Sequence, residues 1–557
     1  MSNRVLLRLS ASLVVTLLAG SANAIVSSNT GSSAFNGLDV GAYLGVGAFY
    51  SNGYTGTRAV VANIEAGHVW SGHSTLGHAT TQIDARAIGA AGGQLGEFDS
   101  HATNCGAAIA GRGPNAYQRG IAYGADLWSA AIGTDWVNPP NSGSFEVSEE
   151  SFTYAYETAL LNGVNGRTAD VFNSSWGGSG APDGYEYFTV GIDAMLRQSG
   201  KIGVIAAGNE GPDANTVSSP ANGYNTIAVA ALGRDTDPVP YNTAAGFSSR
   251  GPQDFYNPET GQTIKGVRAT VDIAAPGRNL TLATYLGDTG GNKGGTANFA
   301  DNYYTVNGAG TSYAAPIVAG GASLIVDVGY DRFNGGKSID GRVVRAVLMS
   351  GADKTAGWSN GQTQVSGVLT TTQAVDYVVG AGRMNLTNSF DIYTQGTTNV
   401  DGLGGGEVAS RGWDYGSVAE NAPNTYSFSQ ALLGGSTFTA TLSWFANSRY
   451  PDALSPTGDL DSLHNLDLQL WEIGATNDVL IAQSISMYDV NEHLSFVLDH
   501  DGLYAMKVVW AGEIYDLIGD DNVTEFGLAW SATYVPAPGT LALVAFLGLG
   551  AARRRRG

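Results

Sequence analysis

Short unbroken apolar runs alternate with segments of helical periodicity between about residues 58 and 350. An apolar run without polar alternation is typical of a strand covered on both faces. The two clearest helical segments each close with a glycine, the residue favoured where a helix ends. The pattern predicts an α/β fold, a parallel sheet with helices on both faces. Its predicted strands are RAVVANI, DLWSAAIG, DVFNSSW, KIGVIAAG and NTIAVAAL, and its predicted helices are SFTYAYETALLNG and YFTVGIDAMLRQSG.

The pattern changes after about residue 400, where short strands alternate between apolar and polar positions. STFTATLSWF, LDLQLWE, LSFVLDH and LYAMKVVW are separated by turn residues, which is typical of an antiparallel β-sandwich. We therefore predict an α/β domain over residues 25–395 and a β-sandwich domain over 400–534. The Gly/Asn/Asp-rich segments 287–302 and 356–370 are predicted to be surface insertions.

Both ends of the chain carry targeting features. Residues 1–24 combine early arginines, an apolar stretch and the small-residue site Ala22-Asn23-Ala24, which is typical of a secretory signal peptide. Residues 535–557 hold an apolar stretch of about a dozen residues before four arginines, shorter than the roughly 20 residues of a membrane helix. This tail resembles the PEP-CTERM tails that exosortases of Gram-negative bacteria process, with Ala537 in place of glutamate. The resemblance implies export, to the medium or the cell surface, and an exosortase-type partner.

Charge and cysteine content narrow the function classes. The chain has 28 Lys and Arg against 49 Asp and Glu, a formal net charge of −21, so nucleic acid is not an expected partner. A single cysteine, Cys105, allows no internal disulfide bond, so the fold is expected to be held by its core. The chain is expected to be a monomer. Carboxylate-rich loops leave calcium as a candidate structural cation, and Asp459, Asp461 and Asp467 are either its ligands or part of a solvated acidic loop.

Two stretches place reactive groups at the ends of predicted elements. RAVVANIEAGH ends in Glu65, a carboxylate whose burial is costly unless a partner stabilises it. In NGAGTSYAAPIVAGG, Pro316 lacks the amide that would pair back to Ser312, so the helix is predicted to start near this serine. The helix N-terminus then favours negative charge developing beside the Ser312 hydroxyl, although a serine that only caps the helix fits the same pattern.

Four motifs resemble those of the subtilisin-like serine peptidases, the subtilases, and their order along the chain is the order found in that family. They are GTSYAAP at 310–316, SHATNCG around His101, AAGN ending at Asn209, and NIEAG around Glu65, where the family has aspartate. The resemblance, which covers about residues 58–390, implies an endopeptidase with Ser312 as nucleophile, His101 as base and Glu65 as the acid. It also implies an oxyanion hole formed by Asn209 and the Ser312 amide, and chemistry that needs no cofactor.

The departures from the family pattern leave alternatives open. Glutamate moves the carboxylate by roughly 1.5 Å relative to aspartate, and Ala102 and Asn104 replace a glycine and a histidine. Asp99 and Asp84 are alternative acids, and a non-enzymatic surface protein that kept the fold for binding is the alternative function. Cys105, one helical turn from His101, is predicted to pack beneath the imidazole as a small buried side chain rather than a nucleophile.

The same resemblance implies that an extended polypeptide substrate pairs with two strand edges. Trp176 replaces the usual leucine, and its indole either lines a side-chain pocket or packs in the core. The histidines at 68, 73 and 78 match no metal motif and are predicted to lie in a loop. The C-terminal sandwich resembles the jelly-roll domain of some secreted subtilases. The implied substrate-binding residues are Ile132, Gly133, Thr134, Ser175, Trp176, Gly177, Ala206, Ala207 and Gly208.

Overall fold

The computed structural model describes the chain in ten stretches. These comprise residues 26–27, 37–88, 98–137, 144–178, 180–233, 240–287, 296–299, 302–396, 403–450 and 459–534. The predicted signal peptide and the predicted sorting tail both lie outside the described residues.

A seven-stranded sheet forms the centre of the N-terminal region, and all its neighbouring strands pair in parallel. Five of its strands are the apolar runs read from the sequence. The two outer strands were not read from the sequence, because Thr81–Asp84 is mostly polar and Ile273–Pro276 ends in a proline, which is atypical of a strand. In spatial order the strands are Ile273–Pro276, Ile227–Leu232, Ile202–Ala206, Val171–Ser174, Val60–Glu65, Asp126–Ala131 and Thr81–Asp84.

Helices cover both faces of this sheet, as neighbouring residues of the strand Val171–Ser174 show. The Phe172 ring packs at 5.3 Å from Tyr156 of the helix Glu149–Glu157. Asn173 points to the opposite face, because successive strand residues alternate between faces. That opposite face carries the helix Ser100–Ala110. The predicted α/β fold class, with an additional β-sheet region at the C-terminus, is therefore confirmed.

The helices differ in how they begin and end. Tyr187–Ser199 closes at Gly200, which takes the left-handed conformation (φ +66°) expected at a helix end. Thr311–Phe333 is long and apolar enough to cross a membrane, but it is mostly buried inside the protein as a core helix. The helices are Val40–Tyr43, Gly47–Tyr50, Ser100–Ala110, Glu149–Glu157 continued by a π-helical turn Thr158–Asn162, Tyr187–Ser199, Thr311–Phe333, Gly341–Gly351 and Leu386–Thr394, with 3₁₀ turns Ala116–Gln118 and Gly336–Ile339.

Two further sheets form the C-terminal region and enclose a second apolar core. The larger one receives a hairpin from the segment predicted to be a surface insertion, because Val368–Thr371 pairs in parallel with Val479–Ser484. Its strands are Thr363–Val365, Val368–Thr371, Gly406–Val408, Asn424–Phe428, Asn447–Arg449, Asp459–Glu472, Val479–Ser484 and Tyr504–Asp516. The smaller sheet contains Arg411–Ala419, Ser436–Trp444, Asn491–Val497 and Val523–Tyr534.

Three small antiparallel sheets flank the central one. The largest of them includes strands from the other predicted insertion, residues 287–302, of which 287, 296–299 and 302 are described. Its strands are Val26–Ser27, Leu280–Ala283, Asn302–Gly308 and Thr296–Phe299. The remaining two are the hairpins Gln253–Asn257 with Gln262–Arg268 and Asp135–Trp136 with Phe145–Glu146.

A buried aspartate joins the two regions. Asp272, 2% exposed, accepts hydrogen bonds from the Ala228 amide (2.7 Å) and from Asn491 (2.9 Å) of the C-terminal sandwich. It also forms an ion pair with Arg345 at 2.6 Å. Since a buried charge is stabilised only when it is paired, this cluster constrains how the central sheet, the helix Gly341–Gly351 and the sandwich meet.

We expect Arg345→Met to lower the free energy of unfolding by about 3–5 kcal/mol, because it leaves the Asp272 carboxylate buried without its cation. Urea denaturation followed by tryptophan fluorescence would measure this. The control is Arg167→Met, whose ion pair with Asp126 is 55% and 38% exposed and is expected to contribute at most about 1 kcal/mol. Equal effects of the two substitutions would contradict this role of Asp272.

Candidate active site

Three neighbouring strands of the central sheet deliver polar residues to the same edge. Glu65 ends its strand, Ser175 follows Val171–Ser174, and Asn209 lies three residues after Ile202–Ala206. These strands are adjacent in the sheet and parallel, so their carboxyl ends lie side by side. The fold therefore brings together residues that are far apart in the sequence.

Glu65 is almost completely buried, with 1% of its surface exposed, and both of its oxygens have partners. Its Oε2 lies 3.1 Å from Nδ1 of His101. Its Oε1 accepts a hydrogen bond from the Ser175 amide at 2.8 Å and a longer one from the Asn173 side chain at 3.4 Å. The buried carboxylate thus contacts one ring nitrogen of the histidine and leaves the other, Nε2, for different chemistry.

The helix Ser100–Ala110 presents His101 from its first turn. Asp99 caps this helix, since its Oδ2 accepts from the Ala102 amide at 3.0 Å. Asp84 pairs with Arg86 at 2.6 Å and is half exposed. Neither alternative acid takes the place beside Nδ1 that Glu65 occupies.

Ser312 is the second residue of the helix Thr311–Phe333, as the position of Pro316 predicts. Because proline has no amide hydrogen, the Ser312 carbonyl is left open, and it accepts from the Cys105 thiol at 3.3 Å. Cys105 is fully buried and lies 4.0 Å from Nδ1 of His101. The cysteine therefore links the helix that carries His101 to the helix that carries Ser312.

The Ser312 hydroxyl donates to the carbonyl oxygen of Ser175 at 3.1 Å. A hydroxyl has a single hydrogen, so donation to His101 requires the hydrogen bond to Ser175 to break and the hydroxyl to reorient. The helix places the Ser312 amide in its first turn, where amides have no partner within the helix. This amide is therefore a candidate hydrogen-bond donor beside the hydroxyl of the same residue.

Asn209 has a fixed amide orientation. Its Oδ1 accepts from the Thr311 amide (2.9 Å) and from the Thr311 hydroxyl (3.1 Å), which identifies that atom as the oxygen and turns Nδ2 away from Thr311. Gly208, just before it, has φ +110°, a conformation that favours glycine. The turn thus presents an amide donor beside the N-terminus of the helix Thr311–Phe333.

Two cavities meet at Ser312. One of about 220 Å³ contains Glu65, His101 and Ser312 together, with an aromatic wall of Trp136, Phe145 and Trp176. The other, of about 510 Å³, is lined by Ser175, Trp176, Gly177, Ala206, Gly208, Asn209, Ser312 and further residues. Glu65, His101, Ser312 and Asn209, the four residues to which the sequence assigns chemistry, therefore surround connected space.

The predicted substrate-binding residues fall into two groups. Ser175, Trp176, Gly177, Ala206 and Gly208 line the larger cavity, whereas Ala207 is fully buried behind it. Trp176 both lines the cavities and packs between Phe145 (6.3 Å) and Phe188 (5.9 Å), so the two interpretations of its indole both hold.

The other predicted edge is already engaged within the chain. The amides of Ile132, Gly133 and Thr134 donate to carbonyls of Glu65, Ala66 and Glu146 at 2.8–2.9 Å. None of the three is among the residues lining the two cavities. These amides are therefore not available to pair with a substrate in this conformation.

The remaining predicted residues are structural in their contacts. Asn104, in place of the family's histidine, donates to the Ala283 carbonyl at 2.7 Å and accepts from Tyr313 at 3.3 Å.

Asp459 and Asp461, two of the candidate calcium ligands, form ion pairs with Arg449 at 3.1 and 3.4 Å. In the part of the chain that the structure describes, the three-donor group close enough to share one ion is Glu65, His101 and Cys105. The three aspartates at 459, 461 and 467 lie in the strand Asp459–Glu472, so the alternative that they form an acidic loop is wrong. His68, His73 and His78 lie in a loop, as predicted.

The sequence analysis missed two buried asparagines behind the site, Asn63 and Asn173. Asn173 donates to the Asn63 side chain at 2.9 Å and approaches Glu65. The signal was present, because each asparagine interrupts an apolar run two residues before Glu65 or Ser175. Residues two apart in a strand share a face, so each asparagine lies on the face of the residue it precedes.

Residues 80–382 match the model of the Subtilase family, which is more than half of the chain. The chain belongs to the subtilase family. The matched residues include His101, Asn209 and Ser312 but begin after Glu65, so the family match does not cover the acid. The identity of the acid therefore rests on the geometry of this chain.

Similar proteins include Serine protease AprX of Bacillus subtilis, 28% identical over 300 residues, 52% of this chain and 58% of the relative. Alkaline protease 1 of Aspergillus clavatus is 28% identical over 261 residues, 47% of this chain and 50% of the relative. The chain thus spans little more than half of the length of these relatives. Pyrolysin of Pyrococcus furiosus is also 28% identical, over 49% of this chain and 18% of its own length.

Similar solved structures are distant. A structure of proteases from Pseudoalteromonas arctica has a TM-score of 0.41 and 19% identity, and covers 62% of this chain and 93% of that chain. The prenylagaramide maturation protease PagA has a TM-score of 0.42 and 19% identity, over 62% of this chain and 97% of that chain. At these scores the likeness carries no weight for the site.

The charge state of His101 in this subtilase is set by its surroundings. Burial of the ring acts to lower the pKa of His101, but the Glu65 carboxylate beside Nδ1 acts in the opposite direction, and the pKa of His101 is raised well above 6.5. Burial raises the pKa of the Cys105 thiol to about 11, so the thiol is neutral at pH 7. The Glu65 carboxylate is therefore the group placed to stabilise the imidazolium.

We expect the acid side of the pH profile of kcat/KM for peptide hydrolysis to have its midpoint well above pH 6.5. A general base must be neutral, and a raised pKa keeps His101 protonated until the pH passes that value, so activity is lost as the pH falls through it. Glu65→Gln, which keeps the shape but removes the charge, is expected to move the midpoint down. A wild-type midpoint at or below 6.5 would contradict the assigned pairing.

Proposed function

We propose that this subtilase is an exported serine endopeptidase that cleaves polypeptides through an acyl-enzyme on Ser312. The observation that carries the proposal is the buried Glu65 carboxylate 3.1 Å from Nδ1 of His101, in one cavity with Ser312. A carboxylate, an imidazole and a hydroxyl in this relation can move a proton from the hydroxyl to the imidazole.

In the first step, Ser312 rotates from the Ser175 carbonyl and gives its proton to Nε2 of His101 as its oxygen attacks the substrate carbonyl carbon. Glu65 keeps the Nδ1 proton in place and stabilises the imidazolium that forms. His101 then donates its proton to the departing amine, the peptide C–N bond breaks, and the acyl group stays on Ser312. Water, deprotonated by His101, then attacks the ester carbonyl carbon. The bond from that carbon to the Ser312 oxygen breaks, His101 returns its proton to Ser312, and the carboxylic acid product leaves.

Negative charge develops on the substrate oxygen in both steps. The Nδ2 group of Asn209 and the Ser312 amide are the donors we assign to it. Thr311 supports this role, because its two hydrogen bonds to Oδ1 hold the amide in the required orientation before substrate binds. Such preorganised donors need no rearrangement when the charge appears.

The larger cavity suits a substrate side chain, and the Ser175-Trp176-Gly177 segment is the edge where an extended polypeptide would pair. The pattern of residues 1–24 supports export, and the arginine-ended tail supports processing by sorting machinery. Secretion to the medium or display on the surface of a Gram-negative cell is the location we assign.

Two features favour a second candidate, a catalytically impaired surface protein that binds polypeptides. The Ser312 hydroxyl is hydrogen-bonded to the Ser175 carbonyl in the structure, and the raised pKa of His101 favours the protonated ring, which cannot act as a base. Both features reduce the readiness of the serine to react, so a direct measurement of its reactivity separates the two functions.

A fluorophosphonate probe followed by peptide mapping makes this measurement. We expect an adduct on Ser312 in folded protein at alkaline pH, together with casein hydrolysis, and loss of both in Ser312→Ala. The matched control is Ser323→Ala on the same helix, whose hydroxyl donates to Ala319 and is expected to leave labelling unchanged. No adduct and no hydrolysis by folded wild-type protein would favour the binding function.

A further inference from the structure

A chain of buried polar side chains connects the sheet to the helix that carries His101. Asn63 and Asn173 are both 0% exposed and lie opposite each other on neighbouring parallel strands. Each shares a face of its strand with the residue two positions later, so Asn63 lies beside Glu65 and Asn173 beside Ser175. Apolar residues would be expected at two such positions in the middle of a covered sheet.

The contacts run without a gap from the helix to the carboxylate. Asn63 donates to the Ala102 carbonyl at 3.1 Å, next to His101. Asn173 Nδ2 donates to the Asn63 oxygen (2.9 Å), and it lies 3.0 Å from the Ser175 hydroxyl and 3.4 Å from Oε1 of Glu65. The same network therefore touches the carboxylate and the helix turn that presents the imidazole.

The orientation of the Asn173 amide leaves one of its two polar atoms without a hydrogen bond. Within the described residues, its Oδ1 is buried and has no hydrogen-bond partner. A flip of the amide would turn that oxygen toward the Glu65 carboxylate and the Asn63 oxygen, where three acceptors would meet. The observed orientation is therefore retained for its donors, at the expense of an unsatisfied acceptor.

We infer that Asn63 and Asn173 are positioning residues that hold Glu65 and the His101 helix in register, an inference that rests on the proposed function. Glutamate has one more rotatable bond than aspartate, so its carboxylate needs more contacts to hold a single position. The Ser175 amide and Asn173 hold Oε1, which aims Oε2 at Nδ1. Asn63 orients Asn173 and fixes the helix through Ala102.

The test uses Asn63→Leu, which replaces the amide by an apolar group of similar shape in the full chain. We expect kcat for peptide hydrolysis and the rate of fluorophosphonate labelling to fall by about 10- to 100-fold, as small misplacements of catalytic groups do. KM should stay unchanged, because Asn63 touches no substrate. In Ser312→Ala protein, NMR titration should show a lower pKa for His101, because Glu65 is held less closely.

The matched control is Ser129→Ala. Ser129 faces Asn63 on the other neighbouring strand and is equally buried, but its hydroxyl bonds His68 and Val69. A second background, Glu65→Asp, completes a double-mutant cycle. Asn63→Leu should have little further effect there, because the shorter carboxylate no longer reaches Asn173. A purely structural role gives equal losses in both backgrounds and leaves the pKa of His101 unchanged.

The outcomes are separable. An unchanged rate and an unchanged pKa in folded Asn63→Leu would overturn the inference. If Asn63→Leu does not fold, Asn173→Leu removes the same hydrogen bond from the other strand, and a failure of both to fold would make the pair structural and contradict the inference. Wild-type protein that never labels on Ser312 would instead refute the proposed function, while the NMR titration in Ser312→Ala would still decide the positioning role.

Discussion

A buried carboxylate beside an imidazole is the constraint on which the rest of this structure depends. An ionised Glu65 in an apolar sheet would be strongly destabilising without partners. Its two oxygens receive contacts from His101, the Ser175 amide and Asn173. The contacts that compensate the burial of this carboxylate also hold the imidazole of His101 in place. The same contacts therefore serve the stability of the fold and the orientation of the histidine. The order of strands in the sheet makes them possible, because it places the ends of three parallel strands next to one another.

The helices convert this edge into a site. One helix, capped by Asp99, presents His101 over the sheet. A second helix presents Ser312, and Pro316 in that helix has no amide hydrogen to pair with the Ser312 carbonyl. Cys105 joins the two through the carbonyl that the proline leaves open. The lone cysteine therefore contributes a contact between helices, and the high pKa of its thiol is consistent with a packing role.

Much of this was accessible from the sequence, for physical reasons. Unbroken apolar runs identify the inner strands, since burial on both faces leaves no alternation, and glycines and Pro316 mark helix boundaries. The outer strands Thr81–Asp84 and Ile273–Pro276 were not identified, because the first is mostly polar and the second ends in a proline. The hairpin at 363–371 was read as a surface insertion, since its partner strand lies about a hundred residues further along the chain. The sequence of a strand does not by itself show which distant strand it pairs with.

The site shows the same division between local and long-range information. The chemistry-bearing residues Glu65, His101, Asn209 and Ser312 stand at element ends that the pattern can place. The contact between Asn63 and Asn173 can be inferred only when their two strands are known to be neighbours. The engaged amides of residues 132–134 depend on contacts with Ala66 and Glu146, so no inspection of that segment alone could have found them.

The most direct test of the account is the tautomer of His101 above its pKa, read from the ¹⁵N chemical shifts of its ring in Ser312→Ala protein. If Glu65 holds the imidazole, the single proton should reside on Nδ1, which leaves Nε2 free to act as the base. A neutral ring that carries its proton on Nε2 would contradict the central claim. So would a tautomer that stays the same when Glu65→Gln is added to Ser312→Ala.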